Sequence, residues 1–196
     1  KKMKRNKASG PDDVPIEYYK WLDDEALTII LDLLNSWWRN TKFPVEKLKA
    51  NIASIYKKGN PKAQENYRPI SLLNSIYKIY ASLLQTRLAE AVDHDVQNTQ
   101  FGFRKARSTS IPVNCIKRIV ERAYASQDPL ILVFMDWEKA FDKVSHEGLL
   151  LAMKRMGTEG KILNLVQQLY KHPQFQTRID GKYSKLYKQQ TGIRQG

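Results

Sequence analysis

Two carboxylates, Asp136 and Asp142, are the residues best placed to do chemistry; they stand six positions apart, just after the apolar run of residues 130–135 (LILVFM). A run so rich in branched and aromatic side chains predicts a strand buried on both faces, and such a strand presents its carboxyl-terminal residue where open sheets keep their chemistry. Asp136 occupies that place. A strand-end carboxylate can hold a divalent metal ion, but one carboxylate does not complete a two-metal site, and no other strand signal ends in a comparable acid. An Asp after a buried strand also fits a plain turn or helix cap, so the surroundings must decide.

Charge is the first of those surroundings. Thirty-three Lys and Arg against twenty Asp and Glu give a formal +13, with the excess spread as about +4 over residues 1–60, +4 over 61–135 and +5 over 136–196. Residues 96–120 contain Arg104, Lys105, Arg107, Lys117 and Arg118 with no acid, and residues 160–196 contain seven bases against Asp180 alone. Basic, nearly acid-free segments inside a folded body point to a polyanion, nucleic acid before membrane. No apolar run approaches the ~20 residues that span a bilayer, and the expectation is a soluble protein without a signal core. The single cysteine, Cys115, excludes an intrachain disulfide and a Cys-rich zinc site, and is expected as buried filler in a reducing, intracellular compartment. His94, His146 and His172 show no metal-ligand spacing.

These residues need elements to position them. Residues 1–13 read as a basic, turn-rich loop, followed by a short helix over 14–20. Asp23 and Asp24 cap a longer helix whose inward stripe is Leu27, Ile30, Leu31, Leu34 and Trp38, and which ends before Pro44. Residues 51–56 and 66–71 predict two strands joined by a basic turn. Ser75 caps a helix with an apolar face of Ile76, Ile79, Tyr80, Leu83, Leu84 and Leu88, and Ser108 or Thr109 caps another with Ile116, Ile119, Val120 and Ala123 facing inward. Helices follow at 147–156 and 161–170, and Asp180-Gly181 marks a hairpin between 175–179 and 182–187.

Five blocks then occur in a telling order: residues 6–13 (NKASGPDD), 55–59 with 66–73 (IYKKG and NYRPISLL), 100–109 (QFGFRKARST), 134–142 (FMDWEKAFD) and 192–196 (GIRQG). They resemble, over nearly the whole chain, the N-terminal part of a reverse transcriptase of the non-LTR retrotransposon and group II intron type. In turn they match its N-terminal extension, two fingers blocks, the first catalytic palm motif and the opening of the next. The family's later aromatic-x-Asp-Asp hairpin and its thumb have no counterpart in these residues. The resemblance implies an α+β polymerase right hand, with an extension loop at 1–13, helix-rich fingers at 14–128 and a partial palm sheet at 129–196. At this length the chain is expected to be part of a larger protein, unable to polymerise alone and with an unpaired sheet edge beyond Asp136.

The resemblance also assigns roles. Asp136 is the catalytic carboxylate that bridges two Mg²⁺ ions, with the backbone carbonyl of Trp137 as a further ligand. Asp142 takes a buried hydrogen-bonding role instead. Phe141 packs under the incoming sugar and disfavours a 2′-hydroxyl; Arg68 and Lys78 approach the triphosphate or its template partner, although Lys78 fits a solvated surface equally well; Gln195 touches the nucleotide beside Gly196. Arg104, Lys105 and Arg107 face the template, with Phe101 and Phe103 in the fingers core or stacked on bases. The basic residues ahead of position 8 clamp template or form a solvated tail. The function implied is RNA-directed DNA synthesis from a DNA or RNA primer on an RNA template, using deoxynucleoside triphosphates and no membrane. Its location would be nuclear for a eukaryotic retrotransposon, otherwise cytoplasmic or organellar. The alternative is a non-catalytic RNA-binding, maturase-like module; an aspartate-nucleophile phosphohydrolase fits worse, because Glu138 stands two residues after Asp136.

Overall fold

The computed structural model describes residues 3–179 and 181–194. The chain forms two units, one of Lys1–Leu88 with Lys139–Gly196 and one of Ala89–Glu138. The first unit opens with helices α1 (Ile16–Trp21) and α2 (Asp24–Asn40). Asp23 caps α2 by accepting from the backbone N–H of Ala26 at 2.9 Å, and Thr41, at φ 50°, closes it by donating to the carbonyls of Trp37 and Trp38. A single turn of tighter helix over Val45–Leu48 leads into β1 (Lys49–Tyr56), and β2 (Tyr67–Leu73) returns antiparallel to it, from Ala50 opposite Leu73 to Tyr56 opposite Tyr67. Helix α3 is Ser75–Val92 and α4 is Ser110–Ser126. After α5 (His146–Arg155) and α6 (Gly160–Tyr170), β3 (Gln174–Ile179) runs parallel to β1, with Ala50 opposite Phe175. Short strands β4 (Lys182–Tyr183) and β5 (Tyr187–Lys188) both pair antiparallel with β3, completing a mixed sheet of order β2-β1-β3-β4 with β5 beside β3. The architecture is α+β, as the sequence implied.

Phe43 lies at the centre of the core. Its ring stacks on Tyr80 at 5.4 Å and meets Trp37 and Tyr77 edge-on at 5.0 and 5.6 Å. Leu34, Leu48, Leu73, Ile76, Leu84, Leu165 and Leu169 complete it, drawn from α2, α3, α6 and the sheet. Each fully buried side chain of this kind contributes about 1.5–3 kcal/mol through the apolar surface it removes from water. The stripe on α2 is rotated from its expected position: Ile30, Leu34, Trp37 and Trp38 face the core, whereas Leu27 and Leu31 are exposed. Only the second half of α2 meets Phe43 and Tyr80. On α3, Leu83 is likewise exposed.

In the second unit, the expected central strand over residues 130–135 is not formed. Those residues are irregular and exposed, Ile131 and Met135 at 87%. A strand buried on both faces requires neighbours on both edges, and among the described residues none pairs with this segment. Helix α4 starts at the expected place, but its N-cap Thr109 makes no side-chain cap bond; the Ser108 hydroxyl accepts from the backbone N–H of Ser110 at 3.2 Å instead. It buries no residue: Ile119 and Val120 are exposed, and so is Cys115, which is not the buried filler its apolar neighbours suggested. An apolar face becomes core only where another element covers it.

The extension loop is fastened to the first unit by a chain of polar contacts. The buried side chain of Asn74 accepts from the backbone N–H of Asp12 at 3.2 Å and donates to the Lys47 carbonyl at 3.3 Å. Ser75, rather than capping α3, donates its hydroxyl to the Val14 carbonyl at 2.8 Å. Gly10 lies so close that a Cβ there would stand 2.3 Å from the backbone of Leu73 and Asn74. Gly10→Ala should therefore destabilise the chain by about 1–3 kcal/mol, as overpacking does, lowering the melting temperature by about 2–10 °C at this size. Thermal unfolding checks it; an unchanged midpoint would mean that the loop does not pack here.

Candidate nucleotide and nucleic-acid site

The turn over residues 139–145 and the segment over residues 189–194 come from different sequence blocks, and the first unit docks one on the other. Lys139, at φ 52°, opens the turn and its carbonyl accepts from the N–H groups of Asp142 and Lys143. Ser145 ends it by capping α5, accepting from Gly148 N–H at 3.2 Å, and forms a bridge with Thr191. Gly192 N–H donates to the Val144 carbonyl at 2.7 Å and Ile193 N–H to the Phe141 carbonyl at 2.9 Å. Position 192 requires glycine twice over: its φ is +83°, and a Cβ would stand 2.8 Å from the Asp142 carbonyl oxygen. On the other side, His146 Nε2 lies 2.8 Å from the Gly192 carbonyl, which also accepts from Gln189 Nε2 at 2.9 Å.

Beside this junction is a cleft of about 950 Å³. Ile52 and Ser54 of β1, Tyr67, Pro69 and Ser71 of β2, and Phe175 and Thr177 of β3 line it with Asp142, Gln189 and Ile193. The lining follows strand alternation, since every second residue of β1 and β2 points the same way. Phe175 and Tyr187 stack at 5.8 Å along one side. Flat aromatic faces, hydroxyls and an amide around an open cleft suit a heterocyclic base with polar edges.

Arg194 lies behind the cleft, not on its wall. Its Nε donates to Gln189 Oε1 at 3.4 Å, Nη2 donates to the Leu48 carbonyl, and the guanidinium stands 5.4 Å from the centroid of the Tyr77 ring. Burial lowers the Arg194 pKa, opposed by the Tyr77 and Tyr170 phenols. Burial also raises the Tyr77 phenol, against the nearby Arg194 charge, and pushes Tyr170 up to about 12. Sequence reasoning missed Arg194, His146 and Gln189. The available signal was Gly192, the kind of residue the chain needs where two backbones meet.

The residues expected at the site are distributed unevenly. Phe141 and Asp142 are at the junction, with Asp142 exposed on the cleft wall, not buried. Asp136 and Trp137 lie in the exposed irregular segment of the second unit, Trp137 at 81%. Arg68 is exposed, and alternation between Tyr67 and Pro69 turns it to the face opposite the cleft lining. Lys78 is half-buried, and desolvation lowers its pKa. Gln195 lies outside the described residues.

Arg104 departs from its expected template-facing role. Its side chain is 11% exposed and donates to the Asp93 carboxylate at 3.0 Å and to the carbonyls of Asp93, Val96 and Gln97. It closes the loop ahead of α4, and the hydrogen bond it donates, aided by its charge, lowers the pKa of the Asp93 carboxyl. Lys105 is exposed, while Arg107 reaches Asn98 Oδ1 at 3.4 Å and lies 5.9 Å from the Phe101 ring. Phe103 is 95% exposed, so the burial expected of it is not found. Among the described residues, no three His, Cys, Asp or Glu side chains converge to hold a metal ion. No helix of the described residues is long and apolar enough to cross a membrane.

Similarity to known proteins agrees with the retrotransposon side of the resemblance. The chain is 29% identical over 199 residues to a probable RNA-directed DNA polymerase from transposon BS of Drosophila melanogaster, 30% over 198 residues to the RNA-directed DNA polymerase from mobile element jockey of Drosophila funebris, and 30% over 201 residues to a probable one from transposon X-element of Drosophila melanogaster. All of the chain is aligned in each case, yet it spans only 22% of the length of these relatives. Residues 55–196 match the reverse transcriptase (RNA-dependent DNA polymerase) family, and with the motif blocks in order and two of them joined at Gly192, the chain belongs to that family.

Proposed function

We propose that this chain is the nucleotide-facing part of an RNA-directed DNA polymerase that extends a DNA or RNA primer on an RNA template, with extension at 1–13, fingers at 14–128 and part of the palm at 129–196. The observation that carries this reading is the docking of Gly192 and Ile193 on Val144 and Phe141, which brings the start of one motif block against the end of another. Asp136 is the catalytic carboxylate, and with the Trp137 carbonyl it would hold Mg²⁺. Among the described residues no third carboxylate, His or Cys side chain converges to complete the shell. When bound, the ion supplies positive charge to the triphosphate and to the attacking oxygen.

Phe141, at the junction, packs under the incoming sugar, and Gln195 follows the docked segment to touch the nucleotide. Lys78, its charge partly desolvated, meets the triphosphate, and Arg68, on the face of β2 away from the cleft, meets the template partner. Lys105 and Arg107 track the template backbone, and Arg104 shapes the loop that presents them. A nuclear location follows if the chain, like its relatives from mobile elements of two Drosophila species, belongs to a eukaryotic retrotransposon.

Primer extension tests the polymerase reading. In the complete protein with Mg²⁺, Asp136→Asn should lower the rate by at least about a hundredfold, because removing a charge that acts in the transition state lowers kcat and kcat/KM together. Full activity in that variant would remove Asp136 from the reaction, and RNA binding without synthesis by the unaltered protein would favour the RNA-binding module.

Salt titration separates the three bases. Affinity for single-stranded RNA should fall with a log-log slope of about 0.7 for each neutralised phosphate. Lys105→Ala with Arg107→Ala should shallow that slope by about 1.4, two such contacts. Arg104→Ala should instead lower thermal stability. An unchanged slope in the double variant would take Lys105 and Arg107 off the template.

A further inference from the structure

Arg194 is a cation with no carboxylate partner among the described residues. Its Nη1 is buried and has no hydrogen-bond acceptor among them. Taking a guanidinium out of water is costly unless the charge is compensated. Here the groups it meets are neutral: the Leu48 carbonyl, the Gln189 amide oxygen and the Tyr77 phenol. Leu48, 1% exposed, ends the turn before β1 and belongs to the core. The guanidinium is thus a strut between an immobile point and the segment docked on the Phe141 turn. It does not wall the cleft, whereas its neighbour Ile193 does, so a ligand in the cleft meets the segment and not the guanidinium.

We propose that Arg194 is a positioning residue for the incoming nucleotide. It sets the place of the segment 189–194 that docks on the Phe141 turn and walls the cleft through Ile193, and Gln189 is the second half of the same device. The Gln189 side chain accepts from Arg194 through Oε1 and donates through Nε2 to the carbonyls of Thr191 and Gly192, at 3.1 and 2.9 Å. One amide therefore ties the guanidinium to the turn that docks on Val144. This role rests on the reading of the chain as a polymerase that seats its nucleotide in the cleft walled by Ile193.

The test is steady-state primer extension by the complete protein, varying the deoxynucleoside triphosphate, for Arg194→Met, Arg194→Lys, Gln189→Met and the Arg194→Met/Gln189→Met double variant. Template-primer affinity and melting temperature are measured alongside. Arg194→Met should raise KM for the nucleotide about tenfold with kcat within about twofold, the signature of lost uniform binding. Template-primer affinity should stay the same. Arg194→Lys, which keeps a donor for the Leu48 carbonyl but loses the fork, should lie between. The double variant should be no worse than Arg194→Met, because residues of one device do not add. Should Arg194→Met fail to fold, Gln189→Met decides, with a KM rise of about threefold expected for a partial loss.

Unchanged nucleotide KM in the folded variants, or a fall in kcat that only tracks the melting temperature, would overturn the positioning role and leave Arg194 a structural residue. A KM rise that is additive in the double variant would overturn the shared device. If the unaltered protein extends no primer, the polymerase reading fails and this role falls with it, a result distinct from an active protein whose variants keep their KM.

Discussion

Strand β1 is the member on which the first unit depends, because it is hydrogen-bonded along both edges. One edge takes β2, next in the chain and antiparallel; the other takes β3, more than a hundred residues later and parallel. A parallel pair cannot be closed by a tight turn and needs a long crossover. The buried Asn51 side chain accepts from Gln176 Nε2 at 2.9 Å across that pairing, which fixes its register with a polar contact as well as the ladder. Sliding β3 by one residue would turn Phe175 and Thr177 away from the cleft and break this bond. The later residues of the site follow, since β5 and the segment up to Arg194 hang from β3, and Arg194 reaches back to the carbonyl that precedes β1.

Much of the first unit was legible because its signals are local. Asp23 caps the helix that follows it, Pro44 follows the end of α2, and the two strands around the basic turn pair in register. Local chemistry also explains why Gly157 and Gly181 sit at positive φ. What was not legible depends on partners. The run at 130–135 is among the most strand-like in the sequence, yet it is exposed, since strand propensity reports fitness for a covered, pleated surface rather than a backbone preference of its own. The same holds for Cys115 and the stripe on α4.

At the site, the motif blocks marked where chemistry belongs but not which side chains hold the blocks together. Arg104 illustrates the limit: within a basic, acid-free segment it reads as one of three template contacts, but its guanidinium meets Asp93 and three carbonyls. A count of charges along a chain does not distinguish a cation that faces solvent from one that organises a loop. Arg194 and Gln189 escaped notice for the opposite reason. Their partners are backbone carbonyls and each other, and carbonyls leave no trace in a sequence.

In the proposed function, a nucleotide and template meet the face formed by β2 and the docked segment at 189–194. Hydrogen–deuterium exchange of the complete protein measures this directly, comparing it free, with RNA template and a chain-terminated primer, and with the complementary deoxynucleoside triphosphate added. Residues 67–71 and 189–194 should gain protection together on addition of the complementary nucleotide and not of a mismatched one. Protection confined to the loop before α4, with both of those segments unchanged by nucleotide, would contradict it.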